Sequence, residues 1–250
     1  MGALRFLHIP KTGGSTLTSI LLRQYRGAAV FSFEGGRASY MRRYAALSAG
    51  ERRNLALFVG HAPLVTGIEE ADNADTITLL RDPVSRVKSF CRHVAEGKTP
   101  HLRQWCSPGQ FDLDGFLASG NPELSNLQTK ILINEGRLAS SERLDKMSPA
   151  DARDAALESL FERLLSYGLQ ECFEESVELF ASLLGWAVPD YPLLNKSSPD
   201  SGVVFERRHI DRIMELNSID SEVYEVARRR FPGRPGVGRG IGSTRAGRHG

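Results

Sequence analysis

The opening of the chain constrains its fold most. An apolar-rich run, Leu4-Arg5-Phe6-Leu7-His8-Ile9, passes into Pro10-Lys11-Thr12-Gly13-Gly14-Ser15-Thr16 and then into Leu17, Ile20, Leu21 and Tyr25 at helical spacing. That pattern reads as strand, tight loop and helix. Two further runs, Ala56-Leu57-Phe58-Val59 leading to Gly60-His61 and Thr76-Ile77-Thr78-Leu79-Leu80 leading to Arg81-Asp82-Pro83, have the continuous hydrophobicity of strands buried on both faces. Such strands alternating with helices predict the α/β class, with a P-loop-like parallel β-sheet flanked by helices.

The C-terminal half turns helical from Pro149, where Leu157, Leu160, Phe161, Leu164 and Leu165 mark one apolar face. A short strand over 166–169 follows, then an amphipathic helix through Phe173, Val177, Phe180, Leu183 and Leu184 that Gly185 suits as a terminator. Two late helices are predicted over 209–217 and 221–230, the second capped by Ser221. With 250 residues, 41% of them hydrophobic, the chain is sized for one domain. We assign that domain to 1–231. The remainder, 232–250, is rich in glycine and arginine and has almost nothing apolar to offset its ordering entropy, so it reads as a disordered basic tail. The segment 98–120 reads as an insertion or lid of unassigned structure.

Lysine and arginine total 32 against 30 acidic residues, a net charge of only +2, so overall charge does not call for a nucleic-acid or membrane partner. No run approaches the ~18 to 20 apolar residues of a membrane span. The strand-like run near the start leaves no room for a signal peptide. Three cysteines without a CxxC spacing suggest neither a disulfide framework nor a zinc site. The expectation is a cytoplasmic protein without a metal.

Chemistry concentrates at two strand-to-helix corners. At the first, a helix N-terminus offers backbone N–H groups and the positive end of its dipole to an anion. Gly13 and Gly14 permit close approach, Thr12, Ser15 and Thr16 carry hydroxyls, and Lys11 brings a mobile charge. The lysine precedes the glycines, unlike the triphosphatase order G-x-x-x-x-G-K-[ST]. Such a loop can hold a phosphate and a sulfate without metal. At the second corner Asp82 can cap and Pro83 occupies the first helical position. Helical spacing turns Val84, Val87 and Cys91 inward and places Asp82, Ser85, Arg86, Ser89 and Arg92 on a polar face. Arg81 stands at the strand end, where α/β sheets bind ligands, and can fork onto a phosphate with a serine beside it. Two anion sites suggest a nucleotide phosphorylated at both ends.

Together Phe6-Leu7-His8-Ile9-Pro10-Lys11-Thr12-Gly13-Gly14-Ser15-Thr16 and Leu80-Arg81-Asp82-Pro83-Val84-Ser85-Arg86-Val87-Lys88-Ser89-Phe90 resemble the sulfotransferases that use 3′-phosphoadenosine 5′-phosphosulfate. The resemblance is strongest to the branch containing heparan sulfate 2-O-sulfotransferase and bacterial carbohydrate sulfotransferases. It extends through Asn126-Leu127-Gln128-Thr129, Tyr167-Gly168-Leu169-Gln170-Glu171 and Leu194-Asn195-Lys196-Ser197-Ser198. It implies that the first motif is the 5′-phosphosulfate loop with Lys11 at the transferring group, and that Arg81 and Ser89 hold the 3′-phosphate. Lys196, Ser197 and Ser198 become further donor-site candidates, on a loop that closes over the nucleotide in relatives. The implied co-substrate is the phosphosulfate nucleotide, and the implied acceptor is a carbohydrate hydroxyl.

Transfer to a hydroxyl needs a group to take its proton, and histidine suits neutral pH. His61, just beyond a core strand, is the candidate base. Relatives in the heparan branch use a histidine there, although some carry a second one where this chain has Val59. His8 is the local competitor, expected to pack or bond to backbone. Arg92, Arg103 and Lys130 are candidates for attracting an anionic glycan. A P-loop kinase or nucleotide hydrolase, with Asp82 as the acid after the strand, and an inactive nucleotide-binding module are the rival readings.

Overall fold

The computed structural model describes residues 2–107, 110–134, 143–187 and 202–233. Its strands are β1 (Leu4–Leu7), β2 (Ala29–Ser32), β3 (Leu55–Val59), β4 (Asp75–Leu80), β5 (Cys106–Ser107), β6 (Gln110–Phe111) and β7 (Ser166–Leu169). Five of them form a parallel sheet in the order β2-β3-β1-β4-β7, while β5 and β6 make a small antiparallel pair. The α-helices are α1 (Gly14–Gln24), α2 (Gly36–Ala45), α3 (Ala49–Arg53), α4 (Glu69–Asp72), α5 (Pro83–Ala95), α6 (Leu113–Ala118), α7 (Leu127–Leu132), α8 (Pro149–Glu158), α9 (Phe173–Leu184), α10 (Arg207–Leu216) and α11 (Ser218–Arg230). Among the described residues no helix is long and apolar enough to cross a membrane.

Strand alternation explains the layers. Leu4 and Phe6 of β1, with Leu57, Val59, Ile77 and Leu79 of its neighbours, pack on Leu17, Ile20 and Leu21 of α1 and on Val177 and Phe180 of α9. Leu7, Leu80, Tyr167 and Leu169 face the other way, against Leu127 and Ile131 of α7, Ala152 and Ala156 of α8, and Val223 and Ala227 of α11. Each fully buried leucine or phenylalanine contributes roughly 1.5–3 kcal/mol, so both faces are strongly held. Helix α9 approaches β7 closely because Gly168 has no side chain. A Cβ there would lie 2.5 Å from that of Ser176 and 2.7 Å from Leu79 Cδ2.

A third apolar cluster joins α5 to the region without a sequence assignment. Val87, Phe90, Cys91 and Val94 pack with Phe116 and Leu117 of α6 and Ile213 of α10. The described residues of 98–120 fold as a 3-10 turn (Pro100–Trp105), the paired strands β5 and β6, and α6.

Several sequence expectations need correction. Strand β2 was not foreseen; it pairs only with β3 at the sheet edge, and Ala29 and Val30 are exposed, so it lacks the unbroken buried signature of a central strand. Ser221 does not cap α11, which starts earlier; its hydroxyl donates to the Asn217 carbonyl at 2.8 Å from inside the helix. Helix α8 ends at Glu158 in a π-helical turn, Ser159–Arg163, which rotates Leu165 to 41% exposure. Of the proposed tail, residues 234–250 lie outside the described residues.

Candidate active site

The loop after β1 is closed from within. Thr12 is buried and its hydroxyl donates to the Ile9 carbonyl at 2.8 Å, so its side chain braces the loop. Gly13 has φ 88° at the N-cap of α1, and Lys11 has φ 70°. For a non-glycine residue the left-handed region costs about 1–2 kcal/mol. Lys11, Gly13, Gly14, Ser15 and Thr16 line a cleft of about 1090 Å³, into which the start of α1 opens.

His8 belongs to this cleft as well. Its ring stacks on Phe6 at 5.2 Å between centroids and lies 4.2 Å from the ring of His61. A Cβ on Gly14 would meet His8 Nε2 at 2.1 Å, so the imidazole sits in the space that any side chain at residue 14 would fill. The glycine is thus required by His8 as well as by any anion above it.

His61 leaves the end of β3 through Gly60, whose φ is 111°. Its Nδ1 lies 2.9 Å from the His8 carbonyl oxygen. A carbonyl can only accept, so Nδ1 carries the hydrogen and, in the neutral ring, the lone pair is on Nε2. The ring lines the cleft alongside Lys11.

The second corner meets the first. Arg81 follows β4 and its Nη1 donates to the Lys11 carbonyl at 3.1 Å. Its Nε is buried without a hydrogen-bond partner among the described residues. Burial lowers the guanidinium pKa from its ordinary value, with nearby Glu171 and Asp82 acting in opposition; an arginine so placed stays charged. Asp82 caps α5 by accepting from Ser85 N at 2.8 Å, and Pro83 takes the first helical position, as the sequence indicated. Ser89 is buried on the α5 side of the cleft, next to Arg92 and His93.

Comparison with known proteins bears on the fold. No family model matches the chain, and no curated protein does. Among solved structures, mouse sulfotransferase SULT7A1, complexed with PAP, matches over 91% of this chain and 89% of that one, with a TM-score of 0.54 at 13% identity. The chain has the sulfotransferase fold. A sulfotransferase from Alicyclobacillus acidocaldarius covers 92% of this chain and 95% of its own, at 14% identity and a TM-score of 0.45.

On this fold the polar face expected for α5 is partly turned inward. Arg86 is fully buried and its Nη2 donates to the Glu123 carbonyl at 2.8 Å, while Val84 is only half-buried. Arg86 makes no pair with Asp82; Asp220 and Glu123 are the carboxylates that oppose the lowering of its pKa by burial. Lys130 is no surface lure for a glycan, since its ammonium is buried against the Pro122 carbonyl and Ser125 Oγ at 3.1 and 3.0 Å. Lys196, Ser197 and Ser198 lie outside the described residues.

Two site-shaping residues carried only a weak sequence signal. Glu171 lines the cleft and accepts from Asp82 N at 3.0 Å and from the Tyr224 hydroxyl at 2.7 Å. Gln128 brackets the Arg81 peptide with its side-chain amide. Both sit in short segments whose only mark was their order along the chain.

Proposed function

We propose that the protein transfers a sulfuryl group from 3′-phosphoadenosine 5′-phosphosulfate to an acceptor hydroxyl, with a carbohydrate as the acceptor. The observation that carries this reading is the convergence of Lys11, the start of α1, Arg81 and His61 on one cleft, with His61 Nδ1 tied to the His8 carbonyl. The shared fold with a sulfotransferase complexed with PAP supports it.

In this reading the start of α1 and Lys11 hold the 5′-phosphosulfate, and Arg81 with Ser89 holds the 3′-phosphate. The acceptor oxygen attacks sulfur opposite the bridging oxygen. As the new S–O bond forms, His61 Nε2 takes the hydroxyl proton, and the bond from sulfur to the bridging oxygen breaks. The Lys11 ammonium stabilises the charge that builds on the departing phosphate. The products are a sulfate ester and adenosine 3′,5′-bisphosphate. No step calls on a metal.

Incubating the purified protein with sulfur-labelled donor and a panel of glycans, lipids and small alcohols tests the proposal. The expected result is label on a glycan hydroxyl, with one bisphosphate released per ester formed. Label confined to a lipid or small alcohol overturns the carbohydrate assignment, and hydrolysis of ATP in place of transfer overturns the sulfotransferase reading.

A further inference from the structure

Arg81 stands one residue past Leu80, which is the last residue of β4 in register with β7. Beyond the strand ladder its peptide needs other partners, and Gln128 supplies both. Arg81 N–H donates to Gln128 Oε1 at 2.9 Å, and Gln128 Nε2 donates back to the Arg81 carbonyl at 2.8 Å. A side-chain amide carries a donor and an acceptor side by side, so it can replace the neighbouring strand peptide that is missing here.

Gln128 is itself held from the far side. It is 1% exposed, and the Asp220 carboxylate of α11 accepts from Gln128 N at 3.1 Å and Thr129 N at 2.7 Å. Asp220 N donates in return to Asn126 Oδ1 at 3.1 Å. Helix α11, the start of α7 and the Arg81 peptide are thereby tied in series. The Arg81 backbone is fixed before its guanidinium reaches the cleft.

We infer that Gln128 is the positioning residue for Arg81, setting the direction in which the guanidinium meets the 3′-phosphate of the nucleotide. The inference rests on the donor reading proposed above. It assigns Gln128 no contact with substrate; its effect passes through the Arg81 peptide.

The test compares adenosine 3′,5′-bisphosphate with adenosine 5′-monophosphate, titrated into the full chain and into Gln128→Met, which keeps the side-chain length and removes both hydrogen bonds. Gln128→Glu, which keeps the acceptor for Arg81 N–H, serves the same comparison if the first variant does not fold. The wild type should prefer the bisphosphate. The variant should lose about tenfold in bisphosphate affinity, the low end for losing a hydrogen bond to a charged group, with its monophosphate affinity unchanged. A variant that keeps the full preference, or that weakens both nucleotides equally, overturns the positioning role and leaves the donor reading standing. A wild type with no preference overturns the donor reading, and this inference with it.

Discussion

His61 Nδ1 donates to the His8 carbonyl oxygen across 2.9 Å, and the two rings lie 4.2 Å apart. The strand that feeds the Lys11–Gly14 loop thus also sets the tautomer of the histidine on the neighbouring strand end. Histidine as a general base needs one nitrogen anchored as a donor and the other left with its lone pair, and a backbone carbonyl provides the anchor. His61→Ala should lower kcat by about 10²–10⁴, the usual range for losing a general base, without altering the unfolding midpoint by more than a few degrees.

Lys11 lines the cleft with a left-handed φ of 70°, and the proposed reaction uses its charge. Lys11→Ala and Lys11→Gly should lose activity alike, because both lack the ammonium. They should differ in stability, Lys11→Gly exceeding Lys11→Ala by about 1 kcal/mol because glycine adopts that φ without strain. Chemical denaturation of the pair, alongside transfer assays, separates the two contributions.

Arg81 presents a guanidinium already tied to the loop through the Lys11 carbonyl. Arg81→Ala should weaken nucleotide binding by about 10- to 100-fold, the loss expected when a hydrogen bond to a charged group goes. Arg81→Lys should not restore it, since an ammonium cannot fork onto a phosphate. Equilibrium titration with adenosine 3′,5′-bisphosphate measures both.

Gly14 and His8 form a steric pair, with His8 Nε2 only 2.1 Å from where a Cβ at residue 14 would lie. Gly14→Ala should cost about 1–3 kcal/mol of stability, as overpacking does, and should depress transfer by moving the ring that lies against His61. In the double variant Gly14→Ala with His8→Ala the clash is gone. Part of the lost stability should return, a non-additivity that a double-mutant cycle reads directly.

Burial pushes the Cys91 thiol from its ordinary 9.0 up to about 12. In the folded protein it should resist alkylation at pH 8, and it should react once urea exposes it. Because the folded pKa is the higher one, the native state holds the proton longer. Stability should therefore fall as pH rises from about 9 toward 12, and Cys91→Ala should flatten that slope.

The elements visible in the sequence were those whose signal is local. The β1 loop, the Asp82 cap with Pro83, and the apolar faces of α1 and α9 each depend on residues a few positions apart, although Leu183, expected on the α9 face, is 49% exposed. What stayed hidden depends on partners distant in the chain. Arg86 and Lys130 looked like surface charges because the groups that receive them, the Glu123 carbonyl for one and Pro122 and Ser125 for the other, come together only when α5, α7 and the segment between them pack. The tilted ring contact of His8 with His61 and the amide bracket of Gln128 on Arg81 likewise join residues separated by 53 and 47 positions. Strand β2 escaped for the opposite reason, being local but half exposed.

The proposed transfer requires the two strand-to-helix corners to grip one doubly phosphorylated nucleotide. Calorimetric titration of the full chain in the presence of a metal chelator tests this most directly, with adenosine 3′,5′-bisphosphate set against ATP measured with magnesium. The bisphosphate should bind saturably and one-to-one without metal, and more tightly than ATP. Tighter binding of magnesium ATP, or no binding of the bisphosphate at all, would contradict the proposed transfer.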